Sequence, residues 1–331
     1  MLLITYGTRP EWIKLEPIID LLDKKKLPYT LLFTGQHTTL VNEKYNNKLS
    51  ILSGSNRLDS IFNSILGNDW IFNNVTRVMV QGDTASSFAI ALAAFNRKIP
   101  VIHLEAGLRS HDIANPYPEE SYRCCISRIA SLHFCPTYAN YDNLMEERIE
   151  GKIYVVGNTS IDSIVTYKNK ISSGGGCLIT LHRRETQLIM NRWLEALNDL
   201  AMKHTTMPFV FISHPNYNIA KNENTSNLNI IPAVSHEKIM ERIVKADILI
   251  SDSGGLQEEA SFLCKPIIVC RKTTERPESI GLTSFMCENP ENLGHLFHTI
   301  NIAKNRVIRD WCPFGDGHSA ERIVRILYEN V

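Results

Sequence analysis

Charged and small residues recur just after short apolar runs along this 331-residue chain. Leu2–Tyr6 is followed by Gly7-Thr8-Arg9-Pro10-Glu11, with Lys14 a turn further on. Proline suits the first turn of a helix, where its missing N–H costs nothing. Arg9 and Lys14 then lie near a helix N-terminus, a natural anion site; the plainer reading is a solvated cationic pair at a turn. Gln81-Gly82-Asp83-Thr84 closes a second run, where Asp83 either caps the next helix or does chemistry. A third run ends His103-Leu104-Glu105-Ala106-Gly107-Leu108-Arg109, and Asn115-Pro116-Tyr117-Pro118-Glu119-Glu120 follows. Asp83, Glu105 and Glu119 are thus predicted to gather at one sheet edge. A carboxylate cluster splits its pKa values, so one member can hold a proton while another is ionised, which suits acid/base work at carbon. The competing reading is a salt-bridge network with Arg109 and Arg123.

The second half repeats the strand-end theme. His182 follows Cys177–Thr180 in Leu181-His182-Arg183-Arg184-Glu185, and the adjacent arginines point to an anion such as a diphosphate. His214, in Ser213-His214-Pro215-Asn216, occupies a similar place. Asp252-Ser253-Gly254-Gly255-Leu256-Gln257-Glu258-Glu259 follows Ile248–Ser251. Small residues at a strand-to-helix turn let a phosphate reach backbone N–H groups. Glu259, one turn into that helix, suits a ribose diol, and Arg276 adds a cation. The segment is neither a Walker A loop nor GxGxxG. The His and Cys spacings form no metal set.

These residues need a scaffold that brings strand ends together. Short apolar runs at Leu2–Tyr6, Tyr29–Thr34, Arg77–Gln81, Val101–Leu104, Leu132–Cys135 and Ile153–Val156 alternate with helix-period stretches such as Thr84–Asn96 and Glu119–Ile129. The alternation predicts α/β units with parallel sheets. The Ser/Gly-rich Ser172–Gly176 segment reads as a joint. After it the pattern restarts with runs at Cys177–Thr180, Phe209–Ser213, Asn229–Pro232, Ile248–Ser251 and Pro266–Cys270. Two domains are expected, residues 1–168 and 172–316, with a last helix in 317–331. In such sheets ligands sit beyond the carboxyl ends of the strands.

Composition narrows the partners. Lys plus Arg and Asp plus Glu are each 35, so the formal net charge is zero. That gives no footprint for non-specific nucleic acid or anionic membrane binding. No run is long enough for a membrane span. The start of the chain reads as a strand rather than a signal peptide, and the eight cysteines form no CxxC pair. A cytoplasmic protein without a disulfide framework is expected.

Taken in order, these segments resemble the non-hydrolysing UDP-N-acetylglucosamine 2-epimerase family. They are GTRPE with Ile13-Lys14, TGQH (Thr34 to His37), GDT, HLEAGLRS, NPYPEE, GNTSID (Gly157 to Asp162), HRRE, HPN, DSGGLQEEA, TTERPE and DGHSAERI. The resemblance implies a GT-B architecture of two Rossmann-like domains facing across a cleft. In that architecture the C-terminal helix crosses back to the first domain. It implies interconversion of UDP-GlcNAc and UDP-ManNAc, or a close UDP-2-acetamido sugar, by elimination of UDP to a 2-acetamidoglucal and re-addition. No nicotinamide and no metal are implied, and the assembly implied is a homodimer. Residue by residue, Asp83, Glu105 and Glu119 are implied as acid/base carboxylates and His182 as a stabiliser of leaving UDP. Arg9, Lys14, Ser253, Gly254, Gly255, Glu259 and Arg276 are implied as UDP ligands. Gln36, His37, Arg183 and His214 match part of the lining of a second, regulatory UDP-GlcNAc site. Thr39 and Ser55, however, stand where the family has longer polar or cationic side chains. A UDP-2-acetamido-2,6-dideoxy-L-hexose, of quinovosamine, rhamnosamine or fucosamine type, is an alternative substrate. A GT-B glycosyltransferase and a non-catalytic nucleotide-sugar sensor are alternative functions; three carboxylates exceed what either requires.

Overall fold

Strands that are apolar at every position cannot leave a face in water, and the short runs of this sequence accordingly become buried parallel strands. The computed structural model describes residues 1–37, 45–213, 227–303 and 311–328. It divides into two units, Met1–Ser163 with Gly315–Val331, and Ile164–Phe314.

In the first unit the strands are β1 (Leu2–Tyr6), β2 (Tyr29–Phe33), β3 (Asn47–Lys48), β4 (Arg77–Gln81), β5 (Val101–Leu104), β6 (Leu132–Cys135) and β7 (Lys152–Val155). They form one parallel sheet in the order β3-β2-β1-β4-β5-β6-β7. The helices are α1 (Arg9–Lys24), α2 (Arg57–Leu66), α3 (Ala85–Asn96), α4 (Glu119–Ile129), α5 (Tyr138–Glu146) and α6 (Thr159–Asp162). In the second unit β8 (Cys177–Thr180), β9 (Phe209–Ile212), β10 (Leu228–Ile231), β11 (Ile248–Ser251), β12 (Ile267–Val269) and β13 (Ser284–Met286) order as β10-β9-β8-β11-β12-β13. With them come α7 (Arg184–Leu188), α8 (Met190–Lys203), α9 (His236–Ile243), α10 (Gly254–Phe262) and α11 (Leu293–Ala303).

The last helix, α12 (Ser319–Tyr328), belongs to the first unit. Its apolar stripe of Ala320, Ile323, Val324 and Leu327 joins the core formed with Leu15, Ile18 and Leu22 of α1. Arg77 fastens its end, donating to the Leu327 carbonyl at 2.8 Å and lying 4.8 Å from the Tyr328 ring.

Two expectations shift. The division falls at Ser163–Ile164 rather than near 168–172, and the return at Phe314–Gly315 rather than 316–317. The Ser/Gly stretch is no free joint. Gly174 and Gly176 donate to the Asp247 carboxylate at 2.9 and 3.0 Å, Ser172 N–H to the Val244 carbonyl at 2.9 Å, and Lys168 lies over the Phe262 ring. Both ends of that segment are therefore packed into the second unit. Strands β3 and β13 are additional to the sequence reading.

Strand order reverses between β1 and β4 in one sheet and between β8 and β11 in the other. At such points the chain leaves neighbouring strands in opposite directions, opening a crevice at their carboxyl ends. The segments picked out in the sequence follow these strands.

A buried histidine supports one of these turns. His103, in β5, is fully buried and hydrogen-bonds the Gly82 carbonyl through Nε2 at 2.9 Å. Burial, with His133 beside it, pushes its imidazole down to about 3. In the unfolded chain it titrates near 6.5. Between those values the unfolded state binds the extra proton, so stability is lost as pH falls through that window. We expect His103→Gln to make the acid limb shallower by about 1.4 kcal/mol per pH unit, read from urea unfolding between pH 4 and 7; parallel curves would refute it.

Candidate active site

The first turn is held by Glu11. Its Oε2 accepts the Gly7 and Thr8 N–H groups at 2.7 and 2.6 Å and the Thr8 hydroxyl at 2.9 Å. Its Oε1 accepts the hydroxyls of Thr84 and Ser87, at 2.7 and 2.8 Å. Thr8 and Glu11 make a capping box that starts α1. One buried carboxylate thus ties the turn after β1 to the turn after β4. Arg9 is exposed on this turn, while Lys14 points inward and pairs with Glu105.

Glu105 is the first residue after β5 and has φ +60°, a left-handed backbone that a non-glycine residue rarely adopts. Such strain persists only where surroundings over-determine it, and it concentrates at functional sites. Here the surroundings are hydrogen-bond donors. Lys14 and Asn158 donate to Oε1, the latter at 3.2 Å, and Gln81 donates to Oε2 at 2.6 Å. Asn158 caps α6 through Oδ1, so its amide nitrogen is the atom that faces Glu105. Beside the carboxylate is a pocket of about 10 Å³ lined by Gln81, Phe134, Asn158 and Thr159, room for roughly one water. Gly82 has φ +66°, and a Cβ there would come 3.3 Å from Glu105 Oε2, so the carboxylate lies against the backbone next to Asp83.

Asp83 is bound by Arg123, whose Nε donates to Oδ2 at 3.0 Å and whose Nη2 also reaches it. Arg123 also holds Glu120 at 2.9 Å, and Glu120 accepts the N–H groups of Ser110 and His111. The network weighed in the sequence therefore forms in part. Arg123 joins it, whereas Arg109 turns to Glu147 at 2.6 Å and to Ser127. Glu119 is half-buried in the first turn of α4, after cis bonds at Asn115–Pro116 and Tyr117–Pro118, and its charge helps push the Tyr122 hydroxyl upward after burial and Tyr117.

In the second unit, His182 follows β8 and is partly exposed, with Nδ1 3.1 Å from Oδ1 of the fully buried Asp252. Ser253 caps α10, and Gly254 and Gly255 are its first residues. Glu259 accepts from His236 Nε2 at 2.9 Å. Arg276 is 7% exposed and paired with both Glu258 and Glu275. Its guanidinium lies directly against Gly254, so it shapes the turn between β11 and α10.

Among the second-site candidates, Gln36 accepts the Ser86 N–H at 3.0 Å and hydroxyl at 2.7 Å, capping α3, and the exposed His37 donates its N–H to the Gly7 carbonyl. Arg183 is 3.7 Å from Glu275. His214 and Thr39 lie outside the described residues. No three His, Cys, Asp or Glu among the described residues are grouped to hold a metal ion. No helix among them is long and apolar enough to cross a membrane.

Sequence reasoning left Gln81, Asn158, Arg123 and Asp252 out of the site. Each flanks or lies within a recognised segment; what marks it is a contact across 24 to 70 residues of chain.

A family model described as UDP-N-acetylglucosamine 2-epimerase matches residues 20–328. This chain belongs to the UDP-N-acetylglucosamine 2-epimerase family. Members of this family are isomerases. A UDP-N-acetylglucosamine 2-epimerase of Campylobacter jejuni is 32% identical, with 98% of this chain and 97% of that one covered. The crystal structure of a UDP-GlcNAc 2-epimerase from Neisseria meningitidis bound to UDP-GlcNAc is similar at TM-score 0.88 and 31% identity, covering 99% of this chain and 100% of that one. The Methanocaldococcus jannaschii UDP-GlcNAc 2-epimerase in complex with UDP-GlcNAc and UDP is similar at TM-score 0.83 and 33% identity, with 99% of each chain covered. The two parallel-sheet α/β units are those of the GT-B class.

The glycine pair gives a sharp contrast. A Cβ on Gly254 would collide with the Arg276 guanidinium, which two buried carboxylates hold in place, whereas one on Gly255 would meet nothing nearer than 3.9 Å. Gly254→Ala should lose about 1–3 kcal/mol by overpacking. Gly255→Ala should be neutral or gain up to about 1 kcal/mol in helix propensity. Thermal melts of the two variants check this; equal melting temperatures would show that the loop yields freely.

Proposed function

We propose that this protein inverts C2 of UDP-GlcNAc, interconverting it with UDP-ManNAc, by elimination and re-addition of UDP. The observation that carries the reading is the set of partly buried, charge-paired carboxylates beside the β1/β4 switch point, where Lys14, Gln81 and Asn158 hold Glu105 and Arg123 holds Asp83. The known activity of relatives solved with UDP-GlcNAc supports it.

The C2 hydrogen adjoins no carbonyl and is weakly acidic. Its removal must therefore follow weakening of the C1–O bond to UDP. As that bond breaks, the electron pair leaves with the diphosphate and C1 becomes electron-poor. A carboxylate then takes the C2 proton, and the C1=C2 double bond of 2-acetamidoglucal forms. In return, a second carboxylic acid delivers a proton to the opposite face of C2, and a diphosphate oxygen re-forms the bond to C1. Two faces need two proton-handling groups, and Asp83, Glu105 and Glu119 supply them. Glu105 accepts from Lys14, Gln81 and Asn158, so it is held as an acceptor. No electrons are gained or lost overall, so the route calls for no nicotinamide.

On this reading the second unit handles UDP. Backbone N–H groups of Ser253, Gly254 and Gly255 at the start of α10 meet phosphate, Glu259 takes the ribose diol, and His182 with Arg276 offsets charge on the departing diphosphate. In the first unit, Arg9 is the exposed cation for UDP. Lys14, committed to Glu105, acts on the carboxylate at least as much as on the nucleotide.

The test is turnover of a panel of UDP-2-acetamido sugars, including 6-deoxy-L-hexoses, in deuterium oxide with proton NMR. UDP-GlcNAc should yield product with deuterium at C2, and Asp83→Asn should slow this by about 10²-fold or more while UDP still binds. Retention of the original C2 hydrogen would exclude the glycal route. Turnover confined to a 6-deoxy sugar would reassign the substrate.

A further inference from the structure

Asp252 is 0% exposed at the end of β11, which pairs with β8 in the register Ser251 to Thr180. That register brings its carboxylate to the first residues beyond β8. Oδ2 accepts the N–H groups of His182 and Arg183 at 2.9 and 2.8 Å. Oδ1 accepts the His182 N–H at 3.1 Å and faces the ring Nδ1 at 3.1 Å. These contacts are all donors, so a buried carboxylate is kept ionised. Burial alone pushes its proton affinity up, but the hydrogen bond and charge of His182, then the Arg183 and His182 N–H groups, outweigh it and hold the carboxyl below its ordinary value. An acceptor-only group against Nδ1 leaves neutral imidazole one arrangement, with the proton on Nδ1 and the lone pair on Nε2.

We propose that Asp252 is a positioning residue: it locks His182 with Nδ1–H toward itself, so that Nε2 alone takes up a proton and donates it as a hydrogen bond to the diphosphate. This rests on the diphosphate-holding role proposed above for His182. The step is a proton equilibrium at Nε2 and breaks no bond in the nucleotide. Arg183, next in the chain, lies 3.7 Å from Glu275, which Arg271 holds at 2.7 Å.

Asp252→Asn separates this from a merely structural role. The two shorter backbone N–H contacts at Oδ2 favour the amide oxygen there, at the cost of the longer His182 N–H contact to Oδ1; the amide NH2 then faces Nδ1 and the ring carries its proton on Nε2. Nitrogen-15 NMR of histidine-labelled protein, with His182→Gln identifying the resonance, reads the tautomer directly. In the unsubstituted protein the neutral ring should carry its proton on Nδ1. In Asp252→Asn it should carry it on Nε2. kcat should drop about 10²-fold, less than the ~10⁴ of a triad aspartate, because His182 is not here a base for a nucleophile. An Nε2–H tautomer in the unsubstituted protein overturns the proposal, even if the variant does not fold. So does an Asp252→Asn variant with unchanged tautomer. The spectra need no turnover. Failure to epimerise any sugar would count against the proposed function and leave this result standing.

Discussion

A charge left at the end of a buried strand must be paired, and this constraint shapes the charged candidate residues that lie at strand ends. Isolated ions in such places are costly, and removing one partner strands the other. The turn after β5 therefore holds Glu105 between Lys14, Gln81 and Asn158, and the turn after β4 holds Asp83 against Arg123. In the second unit Asp252 satisfies two backbone N–H groups and a histidine ring at once. The same pairings that make these carboxylates tolerable in the fold also orient them. Preorganised charge of this kind does not have to reorganise when a reaction develops charge, which is the main way proteins lower such barriers.

Much of the scaffold was legible because parallel strands buried on both faces are short, continuous and apolar. Leu2–Tyr6, Arg77–Gln81, Val101–Leu104, Leu132–Cys135, Cys177–Thr180 and Ile248–Ser251 are strands over the ranges read from the sequence. Strand β3 was not legible, since Asn47 and Lys48 are exposed and polar, and β13 is only Ser284–Met286. The units divide at Ser163–Ile164, a few residues before the Ser/Gly stretch; Ser and Gly signal a turn, and the sequence does not say that Asp247 will bind that turn.

The site divides differently. Strand-end position was enough to single out Asp83, Glu105, His182 and Ser253, because the α/β rule concerns strand ends and strand ends were visible. What each would face was not. Lys14 was read as a nucleotide ligand and stands on Glu105. Arg276 was read the same way and is bracketed by Glu258 and Glu275 under Gly254. Cationic side chains near a glycine turn suit either an outside anion or a neighbouring carboxylate, and only the register of the sheet decides. Asp252 passed as one letter of a glycine-rich turn, although it is the most enclosed ionised group there.

The central claim is that these paired charges serve a reaction in which the bond between C1 and the diphosphate breaks and re-forms. The most direct measurement places oxygen-18 in the bridge between C1 and the β-phosphate of UDP-GlcNAc and follows it by phosphorus NMR. If the bond breaks, the freed phosphate rotates, and label moves from the bridge to the non-bridging β positions as epimerisation proceeds. Epimerisation with the label retained wholly in the bridge would contradict the account.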